Sequence, residues 1–176
     1  MKRILSDKQV EVALNAMYRR IAASIPDQGP VAVIGIRTRG QTLADRIVQR
    51  LREARPGVKI DTGVLDITFY RDDLSRAPAP LVRATEIGFG LDDAWVLLVD
   101  DVLQTGRSIR AALDALADFG RPRVIRLAVL IDRGGRELPI AADFVGRKLK
   151  APDTMRVQLR LRENDGQEGV FITPRD

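Results

Sequence analysis

Histidine and cysteine are both absent from this 176-residue chain. Without cysteine there is no disulfide and no thiolate metal site, which fits a reducing, cytoplasmic setting. Without histidine there is no serine–histidine triad, no imidazole base and no imidazole metal ligand. Aromatic residues are scarce at 5%, leaving few platforms for stacking bases. No apolar run approaches the length of a transmembrane helix, so no membrane partner is expected. The start, "MKRILSDKQVEVAL", carries charge too early and too often for a signal peptide. Any catalysis must therefore use carboxylates, arginines, backbone amides or a hard cation.

What is present suits one globular domain spanning residues 1–176, since 45% of residues are hydrophobic and the length allows a full core. The formal net charge is +5, and 24 of the 29 basic residues are arginine. Arginine favours bidentate contacts to phosphate. Codon usage that puts arginine on a solvated surface explains the same excess, so charge alone points only to anionic ligands, RNA among them.

Helix and strand patterns alternate along the chain. Val10, Leu14, Met17, Ile21 and Ile25 recur at helical spacing, with Ser6 and Gln9 placed as a capping box. "VAVIGI" reads as a buried strand. Leu43, Ile47 and Leu51 mark a second helix closed by "RPG" at 55–57. The segment "VKIDTGVLDITFY" alternates from Val64 onward and reads as a strand turning polar at Arg71. Residues 71–94 lack a period and read as a long loop or loose hairpin, a candidate lid. "WVLLVD" is a further strand, followed by a helix on Ile109, Ala112, Leu113 and Leu116, stopped by Gly120 and Pro122. "VIRLAVLID" is another buried strand. Met155, Val157, Leu159 and Leu161 alternate with polar residues, and "NDG" at 164–166 is expected to turn that strand back into "GVFIT". The fold class is α/β, with a mainly parallel central sheet flanked by helices and a C-terminal β-hairpin.

In such sheets ligands collect at the carboxyl ends of the strands. Three polar loops follow strands directly: "RTRG", "RDDLSR" and "DDVLQTGRS". In the third, a helix starting near Arg107 would aim unpaired amides and its positive dipole end at an anion. Gly106 permits close backbone approach, and Thr105 and Ser108 add hydroxyls. Asp100 and Asp101 would repel a phosphate placed on them but suit neutral hydroxyls or a magnesium ion. A sugar phosphate satisfies both halves. A helix start with ordinary capping acids, or an acid pocket like that of response regulators, are the alternatives.

"VLLVDDVLQTGRSIRAAL" resembles the phosphoribosyl pyrophosphate (PRPP) motif of type I phosphoribosyltransferases. "GIRTRG", "DITFYRDDLS", "DFGRPRVIRLAVLIDRGGRELPIAADFVG" and the closing hairpin extend the likeness to one subfamily, the PyrR-type bifunctional pyrimidine operon attenuators and uracil phosphoribosyltransferases. The resemblance implies the type I phosphoribosyltransferase fold with a small hood from the chain ends. It implies conversion of uracil and PRPP to UMP and pyrophosphate, with Mg2+ held mainly through PRPP and no dedicated protein ligand. Asp100 and Asp101 would hold the ribose hydroxyls, and Gln104, Thr105, Gly106, Arg107 and Ser108 the 5′-phosphate. Arg37, Thr38, Arg39 and Gly40 would hold pyrophosphate, joined by Arg71 from the lid, a residue expected to matter for catalysis with the acid pair. Asp132 and Arg133 are candidates for the base site. The resemblance also implies a homodimer or higher oligomer binding pyrimidine-operon leader RNA, here with Arg19, Arg20, Arg136 and Arg147 as candidate contacts. The chain departs from the subfamily pattern at Gln104, usually tyrosine, and at Gly135 and Ala141, usually histidine and arginine. An attenuator with weak catalysis, or an enzyme for another base, are the competing readings.

Overall fold

The computed structural model describes residues 1–70 and 84–175. A five-stranded parallel sheet is built from β2 (Val31–Ile36), β3 (Ile60–Leu65), β4 (Trp95–Leu103), β5 (Val124–Asp132) and β6 (Phe144–Lys148), in the order β3-β2-β4-β5-β6. A separate antiparallel hood, ordered β1-β8-β7, joins the chain ends: β1 (Lys2–Leu5), β7 (Met155–Arg160) and β8 (Gly169–Pro174).

Both faces of the parallel sheet are covered, which is why its strands read as unbroken apolar runs. Val31, Val33, Leu97 and Val99 pack with Leu14, Met17, Ile21, Leu43, Ile47 and Leu51 of α1 (Asp7–Ser24) and α2 (Arg39–Ala54). The alternate residues Ala32, Ile34, Val96 and Leu98 pack with Ile109, Ala112 and Leu116 of α3 (Arg107–Leu116). Hood residues Val157, Leu159, Leu161 and Val170 join the first of these layers, so the hood is an extension of the core and not a loose flap. Ser6 caps α1 as its sequence suggests: its hydroxyl accepts from Gln9 N at 3.4 Å, while the Gln9 side chain accepts from Ser6 N at 2.9 Å.

The chain leaves β2 toward β3 on one side and β4 toward β5 on the other. The crevice between β2 and β4 is therefore the topological switch point, where ligands bind in open α/β sheets. Two glycines let α2 lie tightly over it. A Cβ on Gly35 would sit 2.4 Å from Gln41 Cα, and one on Gly40 would sit 2.5 Å from the Val99 carbonyl oxygen.

Two local readings of the sequence are corrected. Strand β3 ends at Leu65, where alternation from Val64 onward had suggested that the strand runs on to Arg71. Asp66 turns the chain there by accepting from Thr68 N at 2.8 Å and from the Thr68 hydroxyl at 2.5 Å, opening a 3-10 turn over Thr68–Tyr70. Leu65 and Ile67 are both buried, so a two-residue period arose without extended backbone. Leu113 is 38% exposed and does not belong to the buried stripe of α3. "NDG" does turn the chain back, β7 pairing antiparallel with β8, and the turn is made through the short helix α4 (Arg162–Asp165), closed by Gly166 at φ 67. Strands β1 and β6 were not foreseen. β1 is short and largely exposed, and β6 is a five-residue edge strand whose burial runs from Phe144 to exposed Arg147 and Lys148. Of the lid segment, residues 71–83 lie outside the described residues. Residues beyond them lie on the sheet edge, where Glu86 bridges Val64 antiparallel and Ile87 and Phe89 touch the core.

Candidate active site

A cavity of ≈ 1010 Å³ opens at the carboxyl ends of β2 and β4. It is lined by the 37–39 loop, by Asp66 and Thr68, by Asp100 through Gly106 with Ser108, and by hood residues of β7 and β8. That volume is ample for a nucleotide-sized ligand.

Strand β4 delivers the acid pair. Asp100 is 9% exposed, and its carboxyl accepts from Asp101 N at 2.9 Å, while that of Asp101 accepts from Val102 N at 2.7 Å. Burial pushes Asp100 well above the usual carboxylate range, and the neighbouring Asp101 adds to the rise. Asp101 is also raised by burial, with the Val102 amide and the Arg39 charge pulling the other way. Carboxyl oxygens accept from the hydroxyls of a diol and, when charged, repel a phosphate, which suits the pair to a diol.

Beyond the acids the chain makes a tight turn. Gly106 stands at the N-cap of α3 with φ 93, in the left-handed region. The Thr105 carbonyl accepts from Glu137 N at 3.0 Å and Leu138 N at 3.1 Å. The Gln104 carbonyl accepts from Arg136 Nη1 at 2.9 Å. The β5–β6 connection thus braces this turn from behind, and within the turn Arg107 N donates to the Thr105 hydroxyl at 3.2 Å. Gln104, Thr105, Gly106 and Ser108 all line the cavity. Arg107 does not: its Nε donates to Glu137 at 2.7 Å on the surface.

The third element is the loop after β2. The Arg37–Thr38 peptide is cis. Arg37 donates to the Ala84 carbonyl at 2.9 Å and to Glu86 at 2.7 Å, tying the loop to the returning segment. Arg39 grips Asp165 of α4 through Nε at 3.0 Å and Nη2 at 2.5 Å. Gly40 is buried against β4, so it sets the distance between the loop and the acid pair.

Sequence reasoning and structure part at the base end. Neither Asp132 nor Arg133 lines the cavity. Asp132 accepts from Gly134 N and Arg136, while Arg133 is buried and donates to the carbonyls of Ala151, Pro152 and Met155. Burial and the charge of Arg175 lower the pKa of Arg133. Hood residues Arg156, Gln158, Thr173 and Arg175 line the cavity without having been foreseen. The signal was in the polar positions of β7, where Arg156 and Gln158 alternate with buried Val157 and Leu159. Arg175 Nη2 reaches Gln104 Oε1 at 2.6 Å. Arg71 lies outside the described residues.

Of the RNA candidates, Arg19, Arg20 and Arg147 are exposed. Arg20 donates to the Asp143 carbonyl at 2.9 Å and lies over the Phe144 ring. Arg136 is committed to Ile140, Gln104 and Asp132. No cluster of three or more acids or other metal-ligating side chains suited to a metal ion occurs among the described residues.

A family model described as the phosphoribosyl transferase domain matches residues 2–158. The chain belongs to this family. Within it, the "Bifunctional protein PyrR" of Roseiflexus sp. (strain RS-1) is 53% identical over 173 residues, 97% of this chain and 94% of the relative. That of Deinococcus radiodurans is 49% identical over 170 residues, 96% and 92% of the two chains. These similarities place the chain among the PyrR proteins. The fold is shared with a hypoxanthine phosphoribosyltransferase of Trypanosoma cruzi at a TM-score of 0.69 and 16% identity, covering 100% of this chain and 98% of that one. The type I phosphoribosyltransferase fold is therefore present, with its parallel sheet and separate hood.

Gly40 gives a direct test of how the site is built. Gly40→Ala is expected to cost about 1–3 kcal/mol in urea unfolding, because the added carbon meets backbone at Val99. Gly57→Ala, with nothing within 4 Å of its Cβ, should stay within about 0.5 kcal/mol.

Proposed function

We propose that this protein is a uracil phosphoribosyltransferase, converting uracil and PRPP to UMP and pyrophosphate. We further assign it a UMP-responsive role in pyrimidine-operon attenuation through leader RNA. The observation that carries the enzymatic reading is the convergence of acid pair, amide turn and arginine loop on one cavity. PRPP has the three matching parts: a ribose diol, a 5′-phosphate and a pyrophosphate.

In this reading Asp100 and Asp101 hold the ribose hydroxyls and fix the sugar. The amides of Thr105 to Ser108, with the hydroxyls of Thr105 and Ser108, take the 5′-phosphate, and Gln104 frames the turn. Arg107 adds positive charge at the rim. Arg37, Thr38 and Arg39 face the pyrophosphate from the β2 side, and Arg71 is assigned to the same group. The bond from ribose C1 to the pyrophosphate oxygen breaks, the electron pair leaves with pyrophosphate, and uracil N1 bonds to C1 as its proton is lost. The transition state is oxocarbenium-like. Fixed arginines stabilise the charge gathering on the leaving group, without needing a strong base. Asp132 and Arg133 shape the base end through the loop they tie, while Arg156 and Gln158 supply polar side chains on the hood side.

Magnesium fits the donor set. The acid pair offers hard oxygens, and with no acidic cluster among the described residues the ion would be carried chiefly by PRPP oxygens, as magnesium prefers. When bound it would neutralise pyrophosphate charge.

For RNA, exposed Arg19, Arg20 and Arg147 are assigned as contacts, with exposed Lys148 beside Arg147 on β6, and Arg136 contributes by holding the neighbouring loop. We assign the working form as a cytoplasmic homodimer or higher oligomer. No helix among the described residues is long and apolar enough to cross a membrane.

Pyrophosphate release in the presence of magnesium, with uracil, orotate, hypoxanthine and guanine in parallel, is expected to depend on uracil. It should fall by about 100-fold in Asp101→Asn. Release with a purine alone would reject the substrate. A pyrimidine-operon leader hairpin should bind more tightly than a scrambled hairpin and gain affinity with UMP. Arg147→Ala should flatten the salt dependence by about 0.7 in log–log slope. Equal binding of the two hairpins would reduce the interaction to charge alone.

A further inference from the structure

Helix α4 of the hood lies against α2, and three consecutive α4 residues take three partners on one stripe of α2. Asp165 receives Arg39 through two bonds, Asn164 accepts from the Thr42 hydroxyl at 2.8 Å, and Glu163 receives Arg46 at 2.8 and 2.7 Å. Positions 39, 42 and 46 are spaced three and four apart, so they share a helix face. Arg46 also forks onto Glu168 at 2.9 Å through each terminal nitrogen. The innermost pair differs from the others in where it stands. Arg39 belongs to the cavity wall and to the first turn of α2, and its charge is felt at Asp101.

Asp165 is itself fixed. Its Oδ2 also accepts from Leu161 N at 2.9 Å, anchoring the carboxylate to the start of its own helix. Both side chains are largely shielded, 25% exposed for Arg39 and 15% for Asp165. A two-point arginine–carboxylate bond in that setting sets the plane of the guanidinium as well as its location. The bonds occupy Nε and Nη2, and among the described residues Nη1 takes no protein partner. Arg39 is thus held from the hood side with an edge left over.

We infer that Asp165 is a positioning residue for pyrophosphate: it holds the Arg39 guanidinium at the cavity wall so that its remaining edge meets the leaving group. This rests on the reading of the 37–40 loop as the pyrophosphate site. It gives the hood a role in leaving-group binding, delivered through α4, in addition to closing the cavity with β7 and β8. Preorganisation of this kind raises affinity because the arginine does not have to be ordered when ligand arrives.

The test is calorimetric titration of the full-length protein with magnesium pyrophosphate and, separately, with UMP. Asp165→Asn keeps the shape of α4 while removing the charge and one acceptor. It is expected to weaken magnesium pyrophosphate about tenfold and leave UMP affinity within about twofold, with the loss carried in KM for PRPP more than in kcat. Asn164→Ala, which loosens the same docking without touching Arg39, should lower the melting temperature and leave pyrophosphate affinity intact. Wild-type pyrophosphate affinity in Asp165→Asn, with clear weakening in Arg39→Ala, would overturn the positioning role and spare the loop. Unchanged affinity in Arg39→Ala would remove the reading of the loop and this inference with it. Equal weakening in Asp165→Asn and Asn164→Ala would assign the loss to hood docking and also overturn it.

Discussion

The closeness of α2 to β2 and β4 governs the geometry of the cavity. At Gly35 the helix backbone occupies the space of a side chain, and at Gly40 the β4 carbonyl does. This contact brings the loop at the end of one strand against the carboxylates at the end of its neighbour. A parallel sheet separates neighbouring strands by about 5 Å, too little for a ligand to lie between their backbones. The ligand must sit above the strand ends, and the loops must rise around it. The packed glycines fix where the arginine loop begins to rise, and the bracing of Thr105 by Glu137 and Leu138 fixes the turn opposite.

Charge is divided across the cavity with the same economy. The acids lie deep, where burial raises both, and the cations stand at the rim. Arg37 and Arg39 come from one side, Arg156 and Arg175 from the hood. In the proposed reading an anionic group would be steered to the walls and a neutral diol to the floor, since a phosphate on the charged acid pair would meet repulsion in a poorly solvated place. Several of these arginines are already bonded within the protein. Arg39 is held by Asp165, Arg37 by Glu86 and Arg175 by Gln104. Each such bond prepares an orientation and lowers the cost of ordering a long side chain.

Much of this was legible in the sequence because it depends on local pattern. The buried strands, the three main helices, the capping box at Ser6 and the turn at Gly106 all follow from periodicity, β-branched runs or backbone demands that a few residues state outright. The three strand-end loops could be paired with a common ligand because their chemistry agreed. What escaped depends on contacts between distant segments. β1 is a strand because β8 is beside it, and the clamp from α4 to α2 joins residues more than a hundred positions apart. Arg133 seemed suited to a base site by position after β5, yet it is buried and turned toward two carbonyls of the β6–β7 connection and that of Met155 at the start of β7. The Asp66 turn escaped for a different reason, since Leu65 and Ile67 bury alternately in a turn as they would in a strand.

The account stands on one spatial claim: the acid pair and the Thr105–Ser108 turn read two ends of the same sugar phosphate. The most direct measurement is a crystal structure of the protein with UMP. The account predicts the 5′-phosphate within hydrogen-bond distance of the amides at 105–108 and the ribose hydroxyls on Asp100 and Asp101. A nucleotide bound with its phosphate on the hood arginines, or with no ribose contact to the acid pair, would contradict it.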